Sequence, residues 1–509
     1  MLASIESCAL NGIDGCRVAV EVNISPGIPA FDVVGLPDAA VRESRERVRA
    51  ALRNSGYGFP DDRLTVNLAP ADMKKEGPAF DLPIAVGIIA AEGRLPLNNL
   101  QGAAMLGELS LDGSVRRVRG VLPMAIALRA LGTKRLLLPR ENEAEVACVD
   151  GIALLPVTHL RQAVEYLTGA QPIEAVVPVS YQKLLGERKP AVDFSYVKGQ
   201  KAAKRALEIA AGGGHNLLMI GEPGSGKTLM ARCLPTILPD MTFEEALEVT
   251  RIHSAAGLPV GEGLLIERPF RAPHHTASTV ALTGGGTNAM PGEISRAHEG
   301  VLFLDELPEF RRDVLEALRQ PMEDGFVTVT RVGAQATYPS RFMLVCSMNP
   351  CPCGHFGSRT HVCRCTPMQI QRYLARVSGP LLDRIDLHIE VESIPPEKLS
   401  GMSDEEPSAA IRARVEAARA LQRERYRSCG LSCNARLDAR TLQAFCPMEK
   451  GAQSLMKQAG EQMGLSNRAY TRVIKVARTI ADLAGEEVIK TEHVAEAVQY
   501  RALDHKYWG

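Results

Sequence analysis

Over residues 1–170, short apolar runs alternate with stretches whose apolar positions recur every three to four residues. Residues 18–24 (VAVEVNI) alternate apolar and polar side chains, the period of a half-buried strand. Residues 39–56 carry their apolar positions at helical spacing and close on Gly56, a helix-stop signal. RLTVNLAP, from Arg63, predicts a strand, and DLPIAVGIIAAEG, from Asp81, a helix buried on all sides. Residues 134–139 (KRLLLP) predict a further strand. The alternation predicts an α/β domain with its own core over residues 1–170. A proline-containing stretch of mixed pattern, 171–192, predicts a linker, and a second α/β pattern runs over 193–394. Residues 395–509 read as almost wholly helical, through SAAIRARVEAARALQRERYR, ARLDARTLQAFC and SNRAYTRVIKVARTIADLAG. Internal repeats and low-complexity tracts are absent from the sequence.

Composition narrows the class. The 509 residues, 45% hydrophobic and 23% charged, correspond to roughly three domains of ordinary size and argue against disorder. The longest apolar run, residues 82–91, is about half the ~18 residues of a membrane span. The opening MLASIESCALNG lacks the basic and long apolar regions of a secretory signal. Eight of the twelve cysteines are scattered singly, as in a reduced compartment. A cytoplasmic, non-membrane protein is therefore expected. The balance of 59 basic and 59 acidic residues hides an asymmetry. Residues 411–480 hold fourteen Lys and Arg against five Asp and Glu, a net charge of 14 − 5 = +9. Such a segment is either a nucleic-acid footprint or a set of solvated helix faces.

The strongest chemical signal is GEPGSGKT: Gly221, Glu222, Pro223, Gly224, Ser225, Gly226, Lys227 and Thr228. It follows the apolar run LLMI and precedes LMARCL, so a strand, a loop and a helix succeed one another as phosphate binding requires. Glycines let backbone N–H groups wrap the phosphates, and the new helix aims its positive end at them. Lys227 is placed to reach the β- and γ-phosphates, and Thr228 to ligate Mg²⁺. A second apolar strand, VLFLDE, ends in Asp305, suited to the Mg²⁺ shell, and Glu306, suited to polarise the attacking water. A third, FMLVCSMN, ends in Asn349, able to orient that water or contact the γ-phosphate. Three such strand ends describe one ATP site at the carboxyl edge of a parallel sheet.

This order of motifs resembles the AAA+ ATPases. The resemblance implies an arginine finger in SGPLLDRIDL, Arg384, acting on a neighbouring subunit's γ-phosphate. It implies a second sensor in LSNRAY, Arg468, acting from a C-terminal helical lid, and an adenine contact at VKGQ, where Gln200 lies. An arginine supplied in trans implies a ring, here a homo-hexamer. FRAPHHTAS, PGEISRAHEGVLFLDELPEF, LRQPMEDG and NPCPCG resemble, more closely, the magnesium-chelatase-like bacterial family known as YifB or ComM. That family implies a helix-2 insert within residues 268–292, with Gly284–Gly286 as a pore loop. It also implies a hairpin over residues 326–338 with Arg331 near its tip, and an ATPase acting on single-stranded or branched DNA as a helicase or branch-migration motor. Two other functions stay open: a chelatase-type motor remodelling a protein partner, and a regulatory module recruiting proteins through its first domain.

The first domain resembles the Lon-protease (ribosomal S5 domain 2-like) α/β fold. Where Lon peptidases keep a Ser–Lys dyad, this sequence has Ala79 after Gly77-Pro78 and Leu122 within GVLP. Without a nucleophile and its base no acyl-enzyme forms, so peptidase activity is not expected. Residues 349–366 hold the remaining cysteines, Cys351, Cys353, Cys363 and Cys365, with His355 and His361 beside them. Four thiolates close a tetrahedral zinc shell, and a Pro/Gly-rich segment has little other core to fold around. The alternative is a loop of four reduced cysteines.

Overall fold

The computed structural model describes residues 1–186, 191–258, 263–286, 289–331, 334–358, 361–393 and 405–508. The expected boundary between residues 394 and 395 lies outside them.

A long strand, β1 (Leu2–Asn11), doubles back through Gly12 into β2 (Asp14–Ser25). With β3 (Ala30–Val34), β4 (Arg63–Ala69), β5 (Ala103–Met105), β6 (Arg135–Pro139) and β7 (Ala153–Val157) they form one sheet. Its order is β3-β4-β2-β1-β5-β6-β7, antiparallel from β4 through β2 to β1 and parallel elsewhere. The organising strand β1 has no counterpart in the sequence reading, because Ala3, Ser7, Cys8 and Ala9 are buried yet too small to raise a hydrophobic pattern.

Helix α1 (Ala39–Asn54) starts where the Asp38 carboxylate accepts from the Val41 N–H at 2.8 Å, and stops at Ser55 before left-handed Gly56. Helix α2 (Asp81–Ala91) is buried at every position, as its uniform apolarity predicts. Its one charge, Asp81, receives Arg47 at 2.6 and 3.1 Å. Burial nonetheless pushes that carboxyl up to about 6. Gly87 lets α2 touch the sheet: a Cβ there stands 2.6 Å from Val22 Cγ2 and 2.8 Å from Ile5 Cδ1. Gly87→Ala is expected to destabilise the chain by about 1–3 kcal/mol, the cost of overpacking a filled core, read by denaturant unfolding.

A second sheet carries the phosphate loop. After α3 (Val121–Ala130), the chain runs through α4 (Lys201–Gly213), β8 (Leu217–Gly221), α5 (Lys227–Cys233) and α6 (Phe243–Ala255). There follow β9 (Phe270–Arg271), β10 (Val301–Leu304), α7 (Arg319–Asp324), the hairpin strands β11 (Phe326–Arg331) and β12 (Ala334–Pro339), β13 (Met343–Met348) and β14 (Leu387–Val391). The sheet order β9-β10-β13-β8-β14 is parallel throughout, so β8, β10 and β13 end at one edge. The β11–β12 hairpin is the one expected from the family resemblance; Arg331 ends β11, and residues 332 and 333 lie outside the description. Helix α3 packs on α6, where Arg251 Nη2 donates to the Ile13 carbonyl at 3.0 Å and Ser254 donates to buried Glu145.

Helices α8 (Ser408–Arg425), α9 (Lys450–Gln462), α10 (Asn467–Leu483) and α11 (Thr491–Gln499) follow, with α8 and α10 laid on α4, and a last short helix spans Ala502–Trp508. Fully buried Arg478 pairs with Asp482 at 2.9 Å, and Arg425 reaches the same carboxylate at 2.6 Å. Other basic residues of the 411–480 segment are paired with acids elsewhere in the chain. Arg412 pairs with Asp240, Arg414 with Glu208, Arg436 with Glu299 and Arg472 with Asp386. The segment is therefore not one free basic face, although Arg423, Arg427, Arg440, Lys450, Lys457 and Arg468 stay exposed, and both readings of its charge stay open.

Candidate nucleotide-binding site

Strand β8 is apolar and buried at all five positions, which seats it between β13 and β14 and launches the phosphate loop from the middle of the sheet. Gly224 (φ 78°) and Gly226 (φ 92°) take left-handed angles that favour glycine, and the space beside each is open. Lys227 opens α5, and its ammonium donates to the carbonyls of Gly221 (2.7 Å) and Glu222 (2.8 Å) and to Asn349 Oδ1 (3.3 Å). Burial draws the Lys227 ammonium down to about 8. Ser225 Oγ is buried and has no hydrogen-bond partner among the described residues. An orphaned donor, a lysine over the loop and a glycine cradle fit a phosphate chain.

The metal-binding expectation concerns Thr228 and Asp305, and the two side chains meet: Thr228 Oγ1 donates to Asp305 Oδ2 at 2.8 Å. The other oxygen of Asp305 accepts from Ser347, a buried residue near the end of β13 that sequence reasoning missed. A hydroxyl beside a carboxylate is an oxygen set suited to Mg²⁺. Glu306 follows in a left-handed conformation (φ 55°, ψ 48°) that a glutamate adopts only under constraint. The turn leaves its carboxylate 57% exposed, with His275 Nδ1 at 3.6 Å. His275 is also new to the site; the run FRAPHHTAS carried it, without a spacing rule to pick it out. Gln200, left-handed at φ 51°, donates to the carbonyls of Glu392 (2.7 Å) and Ser225 (3.4 Å), and so joins the loop to the strand beside it.

The two candidate arginines lie elsewhere. Arg384 is buried at the amino edge of the sheet, where Nη1 donates to the Pro380 carbonyl and Nη2 to Glu323 of α7. Arg468 reaches the same Glu323 at 3.7 Å. Asn216, immediately before β8, fixes this edge by donating to the Arg384 carbonyl at 3.0 Å and to Asp386 at 2.9 Å. A five-residue strand spans roughly 16 Å, so one sheet length separates this edge from the phosphate loop. The structure thus groups Arg468 with Arg384 and not with Lys227 of its own chain.

The cysteine cluster stands directly beside the loop. Sγ–Sγ distances are 3.4 Å for Cys351–Cys353, 3.7 Å for Cys351–Cys363 and 3.6 Å for Cys353–Cys363, and Cys365 lies within 4.8 Å of all three. A Zn–S bond of about 2.3 Å sets tetrahedral edges of about 3.8 Å, so the set is compatible with zinc. At the Lon dyad positions, Ala79 and Leu122 sit in one apolar cluster with Cys8, whose thiol burial pushes up to about 12. No helix of the described residues is long and apolar enough to cross a membrane.

Comparison with known proteins agrees with this geometry. The family model described as magnesium chelatase, subunit ChlI, matches residues 193–399; a second ChlI model matches 20–142 and a ChlI C-terminal model 405–501. YifB of Escherichia coli is 44% identical over 99% of this chain and 97% of its own length. Competence protein ComM of Haemophilus influenzae is 44% identical over 99% of this chain and 98% of its own. Lon protease 2 of Bacillus subtilis is 29% identical over 30% of this chain and 28% of its own. With phosphate loop, acidic strand end and polar strand end on one edge, and with likeness at this level along the whole chain, the protein belongs to the magnesium-chelatase-like AAA+ family of YifB and ComM.

Proposed function

We propose that the chain is a ring-forming, cytoplasmic ATPase that couples ATP hydrolysis to DNA remodelling, as a helicase or branch-migration motor in recombination or transformation. One observation carries the ATPase half: Lys227, Thr228, Asp305, Glu306 and Asn349 converge from three strand ends. The backbone of 221–226 and Lys227 hold the phosphates, and Gln200 stands where the base is contacted. Bound Mg²⁺ neutralises phosphate charge, and Thr228 and Asp305 are the residues to hold it. Glu306 polarises the attacking water as general base, and Asn349 orients it against Lys227.

The ring rests on the AAA+ resemblance, and the position of Arg384 supports it. Arg384 lies one sheet length from its own phosphate loop, so an arginine finger at this position acts on another chain's loop. The DNA half rests on the family resemblance, and on two elements packed together: the Gly284–Gly285 strand lies against β11, and Tyr338 donates to the Ala289 carbonyl at 2.7 Å. These are the insert and hairpin that related rings aim into a channel. The zinc reading of Cys351, Cys353, Cys363 and Cys365 belongs to this proposal as a structural site, because four thiolates leave no open position for water.

A second reading, a chelatase-type motor acting on a protein, is favoured by the internal pairing of the C-terminal arginines. ATP turnover measured with single-stranded, duplex and branched DNA decides between them. The expected result is several-fold stimulation by at least one DNA form, declining steeply with added salt as phosphate contacts are screened. Turnover indifferent to every DNA form and raised by a protein partner overturns the DNA half and establishes the second reading.

A further inference from the structure

The segment carrying the four cysteines grips the phosphate loop at two consecutive residues. The Glu222 carboxylate meets His355 Nδ1 at 3.3 Å and His361 Nδ1 at 3.5 Å, and the two imidazoles stack with centroids 4.7 Å apart. Pro223 packs on Gly354, whose left-handed backbone (φ 85°) brings the chains so close that a Cβ there stands 2.5 Å from Pro223 Cδ. His355, His361 and Gly354 all lie between the first and last cysteine.

Short-range hydrogen bonds shape part of that segment: the Gly354 N–H donates to the Cys351 carbonyl at 3.0 Å, the Ser358 N–H to the His355 carbonyl at 3.1 Å and the His361 N–H to Ser358 Oγ at 3.0 Å. Phe356 packs edge-on against Tyr507 at 6.3 Å, and its N–H donates to Cys351 Sγ at 3.3 Å. The four thiols gather at its centre, and Cys351 is fully buried. Four sulfurs gathered this closely without disulfides repel one another as thiolates unless a cation holds them.

We propose that a zinc ion on Cys351, Cys353, Cys363 and Cys365 locks this segment into a clamp on Glu222 and Pro223, so that nucleotide affinity depends on zinc occupancy. The inference rests on reading the cysteines as a zinc site and residues 221–228 as the nucleotide site. A phosphate loop held in its binding shape by neighbours loses less entropy when the nucleotide arrives. Releasing the metal frees His355, His361 and Gly354 together, and the loop then has to be ordered by the ligand itself.

The test uses the full chain, purified under reducing conditions without chelator. Zinc is measured by plasma mass spectrometry, and ADP affinity in magnesium by calorimetry. Two double variants are compared with the parent: Cys363→Ser with Cys365→Ser, and His355→Ala with His361→Ala. The parent and the histidine variant are expected to hold one zinc per chain and the cysteine variant none. ADP affinity is expected to fall about tenfold in the cysteine variant, the size of one lost charge-assisted hydrogen bond, and several-fold in the histidine variant. The histidine variant keeps its metal and keeps the test decisive if the cysteine variant does not fold. Zinc retained with parental ADP affinity in the histidine variant overturns the clamp and leaves the zinc site standing. A parent chain that binds ADP but holds no zinc overturns the zinc reading and the clamp with it, while the nucleotide site stands.

Discussion

Glu306→Gln is expected to bind ATP with the affinity of the parent chain and to hydrolyse it about 10²–10⁴-fold more slowly, the contribution of a positioned general base. The split follows from the geometry. Binding is carried by the loop backbone, Lys227 and the Thr228–Asp305 pair, none of which uses the Glu306 side chain. Glutamine keeps the shape and the left-handed backbone (φ 55°) while removing the basic oxygen. Phosphate release read alongside nucleotide binding checks it. Lys227→Ala serves as the contrast, because it is expected to lose binding and turnover together. Unchanged turnover in Glu306→Gln removes Glu306 from the chemistry and turns attention to His275, 3.6 Å from its carboxylate.

What the sequence disclosed, and what it did not, divides along a physical line. Local chemistry was legible. The glycines of 221–228 and the carboxylates after VLFL state their job at fixed spacing, and the structure brings Lys227, Asn349, Thr228 and Asp305 within bonding reach. Uniform apolarity announced α2, and Gly56 marked the stop of α1. Side chains whose meaning is set by distant partners were not legible. Ser347 is an ordinary strand serine until β13 pairs with β10 and sets it against Asp305. Arg412, Arg414, Arg436 and Arg472 count as charge in a sequence and as links between elements in the fold, because each meets an acid more than eighty positions before it: Asp240, Glu208, Glu299 and Asp386. The link from Glu222 to His355 and His361 crosses 133 residues to the first of them, and no periodicity encodes it.

Arg384→Ala is expected to cut ATP turnover by about 10³–10⁵-fold, the worth of an arginine finger, with nucleotide binding intact. Its position argues for action in trans. The guanidinium sits at the amino edge of its own sheet on Glu323, while Lys227 stands at the carboxyl edge. Glu323 is 48% exposed and also within 3.7 Å of Arg468, so two arginines share one carboxylate at the surface. In the proposed ring, assembly exchanges one anionic partner for another, Glu323 for the phosphates of the adjoining chain. A mixing experiment isolates this from any local damage. Arg384→Ala chains keep a working phosphate loop, and Lys227→Ala chains keep a working arginine, so each is inert alone. Mixed, a Lys227→Ala chain lends its guanidinium to the intact loop of an Arg384→Ala neighbour, and turnover is expected to reappear in proportion to the fraction of such boundaries. Normal turnover by Arg384→Ala alone removes the residue from the site. A mixture as inert as its components, in rings shown to contain both chains, breaks the claim that loop and arginine come from different subunits.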